Sequence, residues 1–372
     1  MNILHAGNMA NLAYVIARQL RKDGINSELL MQENPPKGSD PLLFDPTLNG
    51  YPDWFHFYNT EKRTWKKDVV KKMQDKKYEL IHAYVEMPIF ALLSRRPYVA
   101  HIQGSDFREL AFSKSARGFL LRRAYKKAKA ILFFQPDHLE LFPKLNLKLG
   151  IFLPPPWNTS FFKPEGKVSN HNAGKLVVFH PANLEWRLKG NDILIRGFAQ
   201  YVKDNPDSTL IIVDRGIDSQ RTRQLINSLE IEEKVQFIKG PLNATQLLHY
   251  YNIADVVADQ FILGSLGSIS WEVFSCEKPL LASINETQYK KLYGEPPPVV
   301  NASSSQKISE NLNYLTDKKT RSEIGRKSRN WIIKYHDPHL FSQKIQIIYN
   351  TIINGDDLTE VEDRLRKTTS SQ

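Results

Sequence analysis

Short apolar runs bounded by polar or glycine-bearing turns recur along the chain, and most are followed by segments with apolar residues at helical spacing. Asn2 to Ala6 predicts a first strand, Gly7 to Asn11 a tight turn, and Leu12 to Arg21 a helix with Leu12, Val15, Ile16 and Leu20 on one face. Further strands are expected at Ser27 to Gln32, Tyr78 to Tyr84, Tyr98 to Gln103 and Ile131 to Gln135, and helices at Lys62 to Lys77 and Arg117 to Ala130. Between them, Glu33 to Lys62 reads as a long loop whose aromatic stretch YPDWFHFY predicts ordered packing. After three prolines, Pro154 to Pro156, the alternation resumes. Strands are expected at Leu176 to His180, Thr209 to Asp214, Val235 to Gly240 and Val256 to Ala258, with another near Val299. Helices are expected around Ile193 to Val202, Thr222 to Leu229, Ala244 to Ile253 and Ile269 to Phe274, from Ser305 and Thr320, and over a terminal segment, DPHLFSQKIQIIYNTII. Strand after helix after strand is the pattern of α/β domains with doubly wound parallel sheets.

The chain has 372 residues, more than one ordinary core takes and enough for two domains. The expected division is a first domain over 1–158, a linker over 159–174, a second domain over 175–336, a helix over 337–355 returning to the first domain, and a flexible tail over 356–372. Hydrophobic residues make up 41% and charged residues 24%, as in ordinary globular proteins. No apolar run approaches membrane-spanning length, and the opening MNILHAG runs straight into a strand, so the expectation is a cytoplasmic protein. The single cysteine, Cys276, excludes an internal disulfide and a cysteine-rich metal site. A net charge of +11 says that some face meets polyanions, whether nucleic acid, anionic lipid or substrate phosphate. Much of that charge lies in two helical segments of the first domain, Lys66 to Lys77 and Arg117 to Lys129, the second of which interleaves apolar and basic residues. Such a helix can sit on anionic lipid or on an RNA backbone, and it can equally be an outer helix of the domain.

The most informative stretch is Asp255 to Ile284. Val256 to Ala258 forms a buried-strand run with Asp259 and Gln260 at its carboxyl end. Gly264, Ser265, Gly267 and Ser268 then leave little side chain between backbone and ligand. A helix follows, so free N–H groups and the helix dipole favour an anion at the turn. Glu272, one turn further on, is a carboxylate placed to accept hydrogen bonds from vicinal ribose hydroxyls.

The segment GSLGSISWEVFSCEKPLL resembles the nucleotide-sugar segment of the group 1, retaining, GT-B glycosyltransferases, with Gly267, Glu272, Lys278 and Pro279 on pattern. The resemblance implies two Rossmann-like domains with a cleft between them and a terminal helix crossing back onto the first. It departs at one point: the first Glu of the family's paired-carboxylate motif falls eight positions before Glu272, on Gly264. The chain resembles instead a subset with Asp-Gln at the preceding strand end, which makes Asp259 the candidate donor-sugar contact. The linker FFKP, Phe161 to Pro164, and the Lys189-Gly190 pair also match the family. In its basic motif an Arg and a Lys hold the donor diphosphate. Here Asn183 occupies the usual Arg position and the guanidinium has moved to Arg187.

The resemblance further implies donor diphosphate contacts from Arg187, Lys189, Gly267 and Ser268, a ribose contact from Glu272, and a base-adjacent turn at Gly240. His101 and Asp106, in HIQGSDFREL, would lie beside acceptor and transferring sugar, although a histidine at a strand end is commonly a hydrogen-bonded core residue. Gly7 and Asn8 would line the cleft, or simply form a tight turn. GNMAN lacks the three-glycine dinucleotide fingerprint, so no NAD site is expected there. The expected activity is transfer of a sugar, with retention, from a nucleoside diphosphate donor to an acceptor hydroxyl. That acceptor is a sugar, a lipid-linked molecule in cell-envelope glycan or glycolipid synthesis, or another hydroxyl. No Asp-any-Asp motif is present, so metal-independent transfer without a resident cofactor is expected. Two readings compete: a nucleotide-sugar epimerase of the same two-domain plan, and a transferase or binder directed at tRNA or other nucleic acid.

Overall fold

The computed structural model describes residues 1–165 and 175–358, together with Val361 and Leu365. The expected linker is therefore described only as far as Glu165, and most of the expected tail lies outside the described residues. The chain divides into two compact units, Met1–Trp157 with His336–Gln372, and Asn158–Tyr335.

The first unit is built on a seven-stranded parallel sheet, in the order β3-β2-β1-β4-β5-β6-β7. Its strands are β1 (Asn2–Ala6), β2 (Asn26–Gln32), β3 (Phe55–Tyr58), β4 (Leu80–Tyr84), β5 (Tyr98–His101), β6 (Ala130–Phe133) and β7 (Ile151–Phe152). The middle strands are buried throughout because helices cover both faces, which is why LIHAY, YVAH and AILF read as near-continuous apolar runs. The helix Leu12–Lys22 buries Leu12, Ala13, Ile16, Ala17 and Leu20 at helical spacing. It packs in this unit against the terminal helix Pro338–Asn354, whose first turn is capped by Asp337 accepting from Leu340 N at 2.7 Å.

Two features of this unit differ from the sequence expectation. The aromatic stretch expected as loop contains edge strand β3, paired in parallel with β2 from Leu29↔Phe55 to Gln32↔Tyr58. Four residues flanked by proline, glycine and aspartate are too short to announce a strand. The helix Met87–Ser94, which has no counterpart in the expectation, is apolar on nearly every side and so lacks an amphipathic period. In the basic helix Ala116–Lys127 the buried positions are Gly118, Leu121, Ala124 and Tyr125, while Phe119 is 56% exposed.

The second unit carries a six-stranded parallel sheet, in the order β10-β9-β8-β11-β12-β13. Its strands are β8 (Val177–His180), β9 (Thr209–Asp214), β10 (Val235–Lys239), β11 (Val256–Ala258), β12 (Leu280–Ala282) and β13 (Val300–Asn301). The order reverses at β8, where β9 lies on one side and β11 on the other, and the carboxyl ends of strands at such a switch point are where this architecture binds ligands. The core around Val178, Phe198, Leu210 and Val256 holds those strand ends in place.

Candidate functional site

His180 ends β8 and is fully buried. Its Nδ1 lies 2.8 Å from the carbonyl of Ala258 on β11, which can only accept, so Nδ1 carries the proton and Nε2 accepts from Asn191 Nδ2 at 2.8 Å. Burial lowers its pKa to about 4 and keeps the ring neutral, against the pull of the Ala258 carbonyl and Asp259. The ring thereby pins the end of β8 to β11 and to the start of the helix Asn191–Tyr201.

Between those elements the short helix Trp186–Lys189 carries both expected phosphate cations. Arg187 is 72% exposed and stands 4.0 Å from Glu185. Lys189 is half-buried and its carbonyl accepts from Phe261 N at 2.8 Å, which fastens it beside the segment that follows β11. The turn closes at Gly190, whose φ of +65° and close neighbours Ile193, Ile262 and Phe261 leave no room for a Cβ.

Asp259 and Gln260 follow β11 and are both buried. Asp259 Oδ2 accepts from Ser270 Oγ at 3.1 Å, whereas Asp259 Oδ1 and Gln260 Oε1 are buried with no hydrogen-bond partner among the described residues. Buried polar atoms without partners are rare, and two on adjacent residues at a strand's carboxyl end mark a place where a ligand would complete the bonding. The helix Ser268–Ser275 starts at Gly267, which makes no side-chain cap, and space around Gly267 is open where a Cβ would stand. Ser270 N and Trp271 N donate to the Gly267 carbonyl at 3.1 and 3.3 Å, so the amides of Ser268 and Ile269 are the ones that precede the intrahelical bonds.

Glu272 lies one turn into the same helix, 5% exposed, and accepts from Tyr251 Oη at 2.5 Å. Burial pushes its carboxyl up to about 8, assisted by the charge of Asp259 and opposed by the Tyr251 hydroxyl and the Arg215 guanidinium. Arg215 is a cation that motif matching passes over. It follows β9 directly, its Nη2 donates to the Pro181 carbonyl at 3.3 Å, and its buried Nε has no partner. His180 is in electrostatic reach of Asp259, Lys189 and Arg215, and Glu272 of Asp259 and Arg215, so these groups share one neighbourhood. The signal available in the sequence is the position of Arg215 alone, the first residue after a strand neighbouring β8. Gly240 joins the same region, because a Cβ there would meet Val213 Cγ1 at 2.5 Å and Arg215 Cδ at 3.3 Å.

The remaining expected residues lie in the first unit. His101 is fully buried at the end of β5, its Nδ1 3.1 Å from His82 Nε2. His82 in turn contacts the Tyr84 and Tyr349 hydroxyls, and His5 bonds to Tyr84 at 2.8 Å, so four strand residues and one terminal-helix residue form a polar layer in which His5 Nε2 and His101 Nε2 have no hydrogen-bond partner among the described residues. Burial lowers the pKa of His5 and of His101 to about 3, with neighbouring histidines adding to the effect. Asp106 is also buried. It accepts from Gly104 N at 2.6 Å and from Tyr125 Oη at 2.9 Å, which ties the loop after β5 to the helix Ala116–Lys127. Gly7, with φ +91°, donates to the Leu30 carbonyl at 2.9 Å. Asn8 accepts from Tyr14 N and donates to the Ser39 carbonyl, each at 3.0 Å. Both line a cavity of about 360 Å³ at the carboxyl ends of β1, β2, β3 and β4, together with Tyr58, Trp65, Tyr84 and Phe90.

Two parallel-sheet Rossmann-like domains with ligand-ready strand ends define the GT-B class of fold. The family model of the glycosyl transferases group 1 matches residues 162–331, nearly the whole of the second unit. No curated protein matches the chain. Among solved structures the chain is similar to Anabaena HepE in complex with UDP and glucose, at 16% identity and TM-score 0.74, covering 94% of this chain and 100% of that one. It is similar to sucrose-phosphate synthase from Thermosynechococcus elongatus at 14% identity and TM-score 0.73, covering 96% and 100%. A glycosyltransferase from Rickettsia africae is similar at 13% identity and TM-score 0.68, covering 96% and 99%. At these identities the structural likenesses establish the fold alone.

Proposed function

We propose that this protein is a glycosyltransferase that moves a sugar from a nucleoside diphosphate donor to an acceptor hydroxyl. The observation that carries the proposal is the convergence of Lys189, Arg215, Asp259 and Glu272 with the open start of the helix Ser268–Ser275, inside the region that matches the group 1 glycosyl transferases. Bond cleavage at the donor leaves negative charge on the departing diphosphate. Lys189, with the more exposed Arg187 and the amides after Gly267, offsets that charge as it grows. Ser268 stands at the first helical position, where its backbone and hydroxyl are both offered to a phosphate. Glu272 takes the ribose, Asp259 the donor sugar, and Gly240 flanks the base. Transfer without a metal ion follows if these groups alone neutralise the leaving group.

Retention at the anomeric carbon rests on the resemblance of Gly267 to Pro279 to the retaining group 1 enzymes. The burial of His101 and the hydrogen bonds spent by Asp106 and Asn8 support framework roles for these residues, holding the first unit's loops where the acceptor would sit. No helix among the described residues is long and apolar enough to cross a membrane. Attachment to an anionic surface through the basic helices Trp65–Met73 and Ala116–Lys127 is the mode that their charge supports.

The test is a donor panel read by thermal shift, beginning with UDP and UDP-glucose because HepE was crystallised with UDP, followed by product analysis with acceptors. Stabilisation by a nucleoside diphosphate and a new glycoside are expected. Interconversion of the sugar nucleotide without any acceptor would make the protein an epimerase, and no response to any nucleotide would overturn the proposal.

A further inference from the structure

The first unit holds a second cavity beside the one lined by Gly7 and Asn8. It is a groove of about 820 Å³, in the upper part of the roughly 300–1,000 Å³ range of small-molecule sites. Trp65, Glu86, Phe90 and Arg117 line both, so the two cavities adjoin. They differ in chemistry. The first lies at the carboxyl ends of the strands and offers aromatic faces with the polar groups of Gln32 and Thr60. The second runs down the outer helices and is floored by Val70, Ile89, Phe90, Leu93 and Leu120.

Ile89 is buried and Phe90 packs against the core of this unit, but the apolar surface does not end there. Leu93 is 51% exposed, and it extends the apolar stripe Ile89, Phe90, Leu93 along the helix Met87–Ser94. At the rim stand Lys66 and Lys67. Lys66 Nζ rests 5.6 Å from the centre of the Trp65 ring, and Lys67 has no ion-pair partner among the described residues. Arg117 at the junction is paired with Glu86. The groove is thus an apolar trough with two exposed lysines, Lys66 and Lys67, on its rim.

We infer that these adjoining cavities take one amphiphilic acceptor: a sugar or other hydroxyl headgroup in the aromatic cavity, a phosphate against Lys66 and Lys67, and a prenyl or alkyl chain in the groove. Charge complementarity and the adjacency of the two cavities select this occupant, since a free sugar leaves the trough empty and a fatty chain without phosphate leaves the lysines unanswered. The inference rests on the transferase reading, because it assigns that enzyme's acceptor class, but it is tested without turnover.

Binding of farnesyl phosphate, kept below its micelle concentration, is measured on the full chain by fluorescence and calorimetry, with farnesol, inorganic phosphate and UDP in parallel. Saturable binding of farnesyl phosphate is expected, at least tenfold tighter than either farnesol or phosphate. Leu93→Glu, at an exposed position, is expected to weaken it at least tenfold, Lys66→Glu with Lys67→Glu to weaken it comparably, and neither to change UDP binding. Absence of saturable binding, or indifference to Leu93→Glu, overturns the inference while UDP binding leaves the transferase reading intact. Binding confined to anionic vesicles also overturns it, in favour of a membrane surface. Farnesyl phosphate binding without any nucleotide binding supports the groove and removes the transferase reading instead.

Discussion

Tyr251 donates its hydroxyl proton to Glu272 across 2.5 Å, joining the helix Ala244–Ile253 to the helix that opens on the phosphate turn. Both side chains are buried, so the tyrosine sets the orientation of the carboxylate that is proposed to meet the ribose. Nothing in the local sequence pairs them, since they sit on different helices on opposite sides of β11.

Glu272→Ala is expected to weaken nucleoside diphosphate binding by about 1.5–3 kcal/mol, the scale of a hydrogen bond to a charged group. Calorimetry on the folded variant checks it, and unchanged affinity would remove Glu272 from the ribose role. Tyr251→Phe is expected to lower stability by about 1–3 kcal/mol, because the buried carboxyl loses its donor. Urea unfolding measures that second effect.

Proton release should accompany donor binding. With its carboxyl held up to about 8, Glu272 is largely protonated at neutral pH in the empty protein, and it must ionise to accept from both ribose hydroxyls. Binding enthalpies in buffers of different ionisation enthalpy should therefore show protons released between about pH 5 and 8. Glu272→Gln should abolish the release; release that persists in this variant would place the titrating group elsewhere.

Lys189→Ala is expected to lower turnover more than Asn183→Ala, since only a cation offsets leaving-group charge. Asn183 is engaged through its carbonyl, which accepts from Asn191 Nδ2 at 3.2 Å, and its side chain carries no charge. Arg215→Ala belongs in the same series, because its guanidinium lies within electrostatic reach of Glu272. Steady-state rates on the best donor decide between them; equal small losses would place the diphosphate elsewhere.

His138 should make the first unit sensitive to acid. Its ring is buried against Phe107 at 5.4 Å between centres, with no hydrogen-bond partner on either ring nitrogen among the described residues. Burial lowers its pKa to about 3, with Asp137 opposing and Arg108 assisting. The unfolded chain binds the extra proton from about pH 6.5 downward, so stability is fully present above that pH and is lost as pH falls toward 3. His138→Phe should make the decline shallower by about 1.4 kcal/mol per pH unit inside that window. Unfolding midpoints at pH 7, 6, 5 and 4 give the slope; parallel slopes for wild type and variant would rule the histidine out.

Membrane attachment is tested by charge reversal at exposed positions of the helix Ala116–Lys127. Arg122 Nη1 donates to the Ala111 and Ser113 carbonyls at 2.8 Å, so replacing it disturbs the loop before the helix. Arg123 and Lys126 are exposed on the same helix. Arg123→Glu with Lys126→Glu should reduce co-sedimentation with anionic liposomes, each basic residue near such a surface contributing about 1 kcal/mol. Binding that ignores lipid charge and both reversals would exclude the surface.

The alternation of strands and helices was legible in the sequence because buried parallel strands and one-sided helices impose local periods, as in Val256 to Ala258 and Leu12 to Lys22. The turn from Gly267 to Glu272 was legible for the same reason: glycine, a helix start and a carboxylate one turn later are neighbours in the chain. Strand β3 was not, because four alternating residues at a sheet edge carry too little pattern, and neither was the uniformly apolar helix Met87–Ser94. The burial of His101 was decided by tertiary structure, through His82 and a Tyr349 hydroxyl 267 positions further along the chain from His82. The same holds for Arg215, drawn toward Asp259 and Glu272 only because β9 and β11 flank β8 in the sheet. Periodicity reports which face of an element is buried, whereas the partners that a buried polar group finds depend on strand order, which no local pattern encodes.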